Sequence, residues 1–338
     1  MTPLPAPDAP CHDDYLAMFL APLAPLLERP DTTDVYVNRP GEAWVESVGG
    51  AVERHELPCL DEAWLWQLAR QMARAANQGI SRAEPLLSAS LPDGTRAQVV
   101  APPATRSGFA MAFRRQVTRD FSLHDLDRTA MFAETVLHER RDPDEELEAL
   151  HASGNIVAFL SAAVKQRKTI LVSGGTSTGK TTFVNALLRE VPHSERLIAI
   201  EDSAELTLSQ PNSVGLLTVR GRLGESSATA DDLLQACLRL RPDRILLGEL
   251  RGPEALTFLR AINTGHPGSM TTVHADSPER ALDQLVSLAL QAHARIDSDA
   301  LRQQVSTLVD VVIQLERKAG RRHVAEVRWH RRHGSASS

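Results

Sequence analysis

The sequence predicts an α/β protein, with a doubly wound parallel sheet in the second half of the chain and a smaller α+β domain before it. Three observations carry this reading. From about residue 151, short apolar runs alternate with segments of helical spacing, which is the order of a parallel sheet crossed by helices. A Gly-rich stretch, "SGGTSTGKTT" (173–182), stands where the first of those strands meets a helix. The first 115 residues instead show alternating strands joined by turn signals, the pattern of hairpins.

The 338 residues suit two domains, and 42% hydrophobic content with only 4% aromatics predicts ordinary cores built from aliphatic side chains. A formal charge of −6 argues against a protein that coats nucleic acid and directs attention to protein partners. Three cysteines, Cys11, Cys59 and Cys237, form no CxxC pair, which excludes a disulfide framework and a four-cysteine zinc site and fits a reducing cytoplasm. No window reaches the roughly 18 continuous apolar residues of a membrane span. The nearest, "YLAMFLAPLAPLL" (15–27), is interrupted by Pro22 and Pro25, so any membrane contact is expected to be peripheral.

Taken in order, residues 1–14 read as a frayed tail without a signal peptide's basic start, and 15–28 as a helix broken near its end. "DVYVN" (34–38) and "AWVE" (43–46) are strands joined through "RPG". "DEAWLWQLARQMARAANQ" (61–78) has helical spacing with Asp61 as N-cap, and further strands flank a "PDG" turn and fill "GFAMAFRR". The charged stretch 116–150 is the expected linker between domain 1–115 and domain 151–332. In the second domain the expected strands are 169–173, 196–201, 215–219, 243–248 and 270–274. A terminal hairpin turning at Ala319-Gly320 follows, with 333–338 as a disordered tail.

The Gly-rich stretch has the spacing of a phosphate-binding loop: Gly174, four residues, then Gly179-Lys180-Thr181. Several anionic oxygens need many donors at close range, and glycine lets backbone N–H groups come that close. Gly174, Gly175, Thr176, Ser177, Thr178, Gly179 and Thr182 are therefore expected to cradle the phosphates of ATP. Lys180 would reach the β/γ oxygens, and the Thr181 hydroxyl would ligate Mg²⁺. Such a site also needs carboxylates at neighbouring strand ends. "RILLG" runs into Glu249, which is placed to polarise a water, and "LIAIE" runs into Glu201, expected in a metal or water role. Glu205 divides evenly between this site and a surface helix start. His274, in "TTVHADS", reads as a phosphate sensor, with His266 the weaker of the two histidines.

"SGGTSTGKTT", "IEDSAEL", "LRPDRILLGELRG" and "TGHPGSMTTVHADS" resemble, in order, the Walker A, Asp box, Walker B and His box of the secretion traffic ATPases. The chain is most similar to the hexameric traffic ATPases of bacterial type IV secretion and conjugation systems. "VNRPGEAWVE" (37–46) and "TRAQVVAPPA" (95–104) extend the match, which covers about residues 30 to 315. The resemblance implies a RecA-like P-loop NTPase domain with a smaller N-terminal domain. It implies Glu249 as catalytic glutamate, Glu201 as Asp-box acid and His274 on the γ-phosphate side. It also implies arginines of the N-terminal domain closing on the phosphates, at Arg96 and Arg114, with Arg115 not excluded. Such a protein would be a homo-hexamer at the cytoplasmic face of the inner membrane. It would work with the membrane and ATPase components of its machine while its N-terminal domain rocks against the ATPase domain. The tetracysteine module common in type II secretion ATPases is missing, and pilus retraction motors remain a rival of the same superfamily. A hexameric nucleic-acid translocase and a non-hydrolysing scaffold are the readings from other classes; the acidic balance opposes the first and an intact Lys180, Thr181 and Glu249 the second. The basic run Arg317, Lys318, Arg321, Arg322, Arg328, Arg331 and Arg332 reads as a solvated face, or else as a docking surface for an acidic partner or lipid headgroups.

Overall fold

The computed structural model describes residues 12–116, 122–128, 131–133, 135, 144–218, 224–292 and 296–330. Residues 1–11 of the tail expected at 1–14, the tail expected at 333–338, much of the linker, and Arg331 and Arg332 lie outside these residues, while 12–14 of the expected tail are the start of a helix.

The chain opens with α1 (His12–Leu20) and α2 (Ala24–Leu27), separated at the Pro22 step as a proline inside a helical run requires. A hairpin of β1 (Thr32–Val37) and β2 (Glu42–Ser47) follows, then β3 (Val52–Glu56). The sequence pattern gave no signal for β3, because "VERHE" lies at the sheet edge with almost every side chain exposed and so has no buried alternation. α3 (Glu62–Ala75) begins where Asp61 accepts a hydrogen bond from the Trp64 amide at 2.7 Å. β4 (Leu86–Ser90), β5 (Arg96–Val100) and β6 (Ala110–Arg114) complete a six-stranded antiparallel sheet of order β3-β2-β1-β6-β5-β4. α3 covers one face through Leu65, Leu68 and Met72, which pack with Val35, Val99, Phe109 and Phe113.

α4 (Leu123–Arg128) lies within the expected linker. α5 (Glu145–Ala152) does not behave as linker: Leu147 is fully buried in the core of the second domain, and Asp144 is ion-paired with Lys168. Residues 144–152 thus pack against the second domain.

Next come α6 (Ile156–Lys165), β7 (Ile170–Gly174), α7 (Lys180–Leu188), β8 (Leu197–Glu201), β9 (Ser213–Leu217) and α8 (Ala230–Arg239). The chain continues through β10 (Arg244–Leu247), α9 (Glu254–Asn263), β11 (Met270–Val273), α10 (Pro278–Leu290) and α11 (Ser298–Leu308). β12 (Val311–Lys318) and β13 (Arg321–Trp329) form the terminal hairpin. The seven-stranded sheet has the order β13-β12-β7-β11-β10-β8-β9, all parallel except edge strand β13. The four central strands β7, β11, β10 and β8 are buried along their whole length, as a parallel sheet covered on both faces demands. The hairpin turns at Ala319 and Gly320, both at positive φ. No helix among the described residues is long and apolar enough to cross a membrane.

The two sheets are joined by a shared core. Tyr36, Trp44, Val100 and Ala112 of the N-terminal sheet belong to the same buried cluster as Ile198, Leu233, Leu247 and Phe258 of the second domain. Arg196 is buried there, its guanidinium 4.1 Å from the Tyr36 ring centroid and donating to Asn38 Oδ1 at 2.7 Å. Burial draws that guanidinium down to about 10.

Candidate active site

β7 delivers the chain to the phosphate loop and α7 carries it away, so the loop sits at the carboxyl end of a central strand. Two glycines are sterically required. A Cβ on Gly174 would lie 2.6 Å from Thr178 Oγ1 and 2.7 Å from the Leu315 carbonyl oxygen. Gly179, the N-cap of α7, has φ +95°. The Lys180 ammonium folds back over the loop, donating to the carbonyls of Gly174 (2.9 Å) and Gly175 (3.2 Å). Burial draws its pKa below the usual 10.5, with Glu249 acting against that and Arg251 with it.

The neighbouring strands present their ends to the loop. A cavity of about 490 Å³ is lined by Lys180, Thr181, Glu201, Glu205, Glu249 and Arg251. Glu249 follows β10 and is held on one side by Arg251, which also lies 3.7 Å from Asp202. On its other side Oε1 lies 2.8 Å from His274 Nε2. The Nδ1 of the same ring lies 3.3 Å from Lys180 Nζ. An ammonium only donates, so Nδ1 accepts and a neutral ring carries its proton on Nε2, the nitrogen nearer Glu249. Lys180, His274 and Glu249 thus form one continuous contact. His266 stands apart, its Nδ1 3.0 Å from the Ala261 carbonyl oxygen within its own turn.

Glu201, expected in a metal or water role, and Glu205, divided between this site and a surface helix start, both line the cavity but are engaged differently. Glu201 is buried, and its Oε1 accepts the amides of Glu205 (3.0 Å) and Leu206 (2.8 Å) while Oε2 is ion-paired with Arg106. This arrangement organises the turn after β8 and leaves the Glu201 oxygens engaged by protein. Glu205, presented by that turn, accepts from the Thr181 hydroxyl at 3.0 Å. A magnesium ion held together with phosphate needs only one or two protein oxygens, and the Thr181 hydroxyl with the Glu205 carboxylate is such a set.

The N-terminal arginines are also placed differently. Arg96 and Arg114 face each other across β5 and β6 and line a separate cavity of about 640 Å³ with Asp34, Arg239 and Arg241. Neither lines the loop cavity of its own chain. Arg115 donates to the carbonyls of Leu27 (2.8 Å) and Arg29 (3.0 Å), a structural tie. An N-terminal arginine paired with an acid of the loop cavity is Arg106, which also donates to the Leu206 carbonyl at 2.8 Å. Its path crosses β9 at Gly215, where a Cβ would lie 2.3 Å from Arg106 Cδ. A glycine inside an apolar strand was the available signal, since it marks a close approach by another group.

The family model for type II/IV secretion system proteins matches residues 19–336. The chain is 36% identical to the type IV secretion system protein VirB11 of Bartonella henselae, over 93% of this chain and 94% of that protein. It is 39% identical to the type IV secretion system protein PtlH homolog of Bordetella bronchiseptica, over 96% and 97%. The crystal structure of the VirB11 ATPase of the Brucella suis type IV secretion system, in complex with sulphate, matches with a TM-score of 0.88. It is 36% identical and the match covers 94% of this chain and 95% of that one.

Proposed function

The chain belongs to the type II/IV secretion system protein family, and from that premise we propose that it is a magnesium-dependent ATPase powering type IV secretion. The observation that carries the proposal is the Lys180–His274–Glu249 contact over a phosphate-binding loop. Lys180 binds the β/γ oxygens, and Glu249 orients and polarises the attacking water. His274 reports the state of one to the other: when phosphate draws the ammonium off Nδ1, the ring and Glu249 are released together.

Thr181 and Glu205 would hold the magnesium ion, which neutralises charge developing on the phosphates. Glu201 sets the Glu205 turn and ties it to Arg106, so its part is positioning.

The rocking expected between the two domains does not suit the joint inside one chain, which is a buried apolar core with an arginine network. The moving joint is between copies. In a ring, Arg96 and Arg114 of one copy close on the triphosphate of its neighbour, because guanidinium forks bind paired oxygens and neither lines its own loop cavity. Loss of the γ-phosphate releases that clamp, and a ring transmits the release to a translocation channel. The setting is the cytoplasmic face of the inner membrane, with the other components of the machine as partners and membrane contact peripheral.

The test is ATP turnover of the purified chain across protein concentration, with light scattering for mass and with single-stranded DNA added. Turnover that rises with assembly and ignores DNA supports the secretion motor. Turnover that requires DNA points to a nucleic-acid translocase.

A further inference from the structure

Residues 205–207, the turn that carries Glu205, belong to no helix or strand, so their backbone groups must find partners among side chains. Three elements supply them. Glu201, at the end of β8, accepts the amides of Glu205 and Leu206. Arg106, on the loop between β5 and β6, donates to the Leu206 carbonyl. The third partner is Asn185 of α7. Its Nδ2 donates to the Glu205 carbonyl at 3.1 Å, and its Oδ1 accepts the Thr207 amide at 2.7 Å. Both ends of one carboxamide are used, which an aspartate, lacking the donor, cannot reproduce.

Asn185 is also the partner that belongs to the helix of the phosphate loop. It stands four residues after Thr181 on α7, so the two side chains share one face of that helix. Thr181 holds the Glu205 carboxylate at 3.0 Å while Asn185 holds the Glu205 backbone. The first of these bonds is lost when both oxygens turn lone pairs to a metal, because the hydroxyl proton then no longer bridges them. Glu201 and Arg106 tie the turn to β8 and to the N-terminal domain. The Asn185 clasp is what still ties it to α7 beside Thr181. Farther along, Gln210 donates to the Leu188 and Val191 carbonyls at 3.1 and 3.0 Å and anchors the segment to the far end of the helix.

We propose that Asn185 is a positioning residue for magnesium, its two-bond clasp setting the spacing between the Thr181 hydroxyl and the Glu205 carboxylate. The inference rests on the assignment of those two oxygens to the metal, and adds what keeps them in register. A side chain that orients a metal ligand without touching the metal typically carries about 10–100-fold in metal affinity.

Calorimetry of ATP binding to the full chain, with excess Mg²⁺ and with EDTA, tests this, the ratio of the two affinities being the gain due to magnesium. Asn185→Ala removes the side chain, and Asn185→Leu keeps its size and favours the helix while removing both bonds. Asn185 is half-buried and Gln210 still anchors the segment, so both variants are expected to melt near the wild-type temperature. Each is expected to cut the magnesium gain by about tenfold and to leave metal-free ATP binding unchanged. A purely structural role would lower both affinities alike. That result, or an unaltered magnesium gain in a folded variant, overturns the proposal. If Asn185→Ala does not fold, Asn185→Leu decides, and loss of folding in both assigns Asn185 to stability and rejects the proposal. Thr181→Ala and Glu205→Gln separate the inference from its premise. A gain reduced in both of these but not in the Asn185 variants rejects the clasp alone, whereas a gain unaltered in both rejects the metal set and the clasp with it.

Discussion

Arg106, on the loop between β5 and β6, is ion-paired with Glu201 at the end of β8, so an N-terminal side chain fixes the turn that presents Glu205 to Thr181. Both partners are largely withdrawn from solvent, with side-chain exposures of 18% and 4%. Removing one member of a buried pair strands the other charge and costs about 3–5 kcal/mol. Arg106→Ala is therefore expected to lower unfolding stability by that order, while Arg106→Leu with Glu201→Leu loses much less. A double-mutant cycle by denaturant unfolding measures the coupling. Losses that simply add, the double variant losing the sum of the two single ones, would remove the pair from the account.

Gly215 lets that arginine pass. A methyl group there meets Arg106 at 2.3 Å, with two more Arg106 atoms within 2.8 Å. Gly215→Ala should reproduce the loss seen in Arg106→Ala, and the two substitutions combined should cost little more than either. Additive losses would show that Gly215 matters for another reason.

The two acids after β8 should separate by assay. Glu205→Gln is expected to raise the magnesium concentration needed for half-maximal turnover by about tenfold, with folding stability unchanged, since it alters one metal-side oxygen. Glu201→Gln should act first on stability. A magnesium requirement moved by Glu201→Gln and left alone by Glu205→Gln would reverse the assignment.

If Arg96 and Arg114 act on a neighbour's triphosphate, two inactive variants should restore each other. Lys180→Ala and the double variant Arg96→Ala/Arg114→Ala, each without turnover alone, are expected to regain measurable activity when mixed and allowed to assemble. A mixed ring contains loops and arginines that are both intact at some junctions. Activity that stays absent at every mixing ratio argues that these arginines serve their own chain.

Much of this was readable from the sequence wherever the determinant is local. The P-loop strand and helix, the Asp61 cap, the break at Pro22 and the turn at Ala319-Gly320 each depend on residues within one short window. The strand β3 was not readable because an exposed edge strand carries no apolar alternation. Arg96 and Arg114 are adjacent only through cross-strand register, and which cavity they face depends on how the two sheets pack. Glu201 and Glu205 are four residues apart in one motif. Only the Arg106 contact, nearly a hundred positions away, decides which of them meets Thr181. Arg322 was hidden in a basic run until the hairpin folded it against Gly179.

Acid should destabilise the second domain through Glu195. Burial alone would push this carboxyl up, but hydrogen bonds and charge from Arg244, with Arg167 behind it, hold it below its usual 4.5. A carboxyl lowered in the folded state contributes stability that is fully present above the unfolded value of 4.5 and is lost as pH falls through the folded value. The melting temperature should hold steady down to about pH 5 and fall below it, with a shallower fall in Glu195→Gln. An unchanged slope in that variant would assign the acid sensitivity to other carboxylates.

The account stands most directly on Glu249 and Lys180 having different tasks, and the decisive measurement is ATP binding and single-turnover hydrolysis by Glu249→Gln beside Lys180→Ala. Glu249→Gln is expected to bind ATP as the wild type does and to hydrolyse it about 10²–10⁴-fold more slowly, as loss of a general base dictates. Lys180→Ala should bind ATP poorly and give no turnover. Equal loss of binding in both variants, or full turnover in Glu249→Gln, would contradict the assignment of Glu249 to the water and Lys180 to the phosphates.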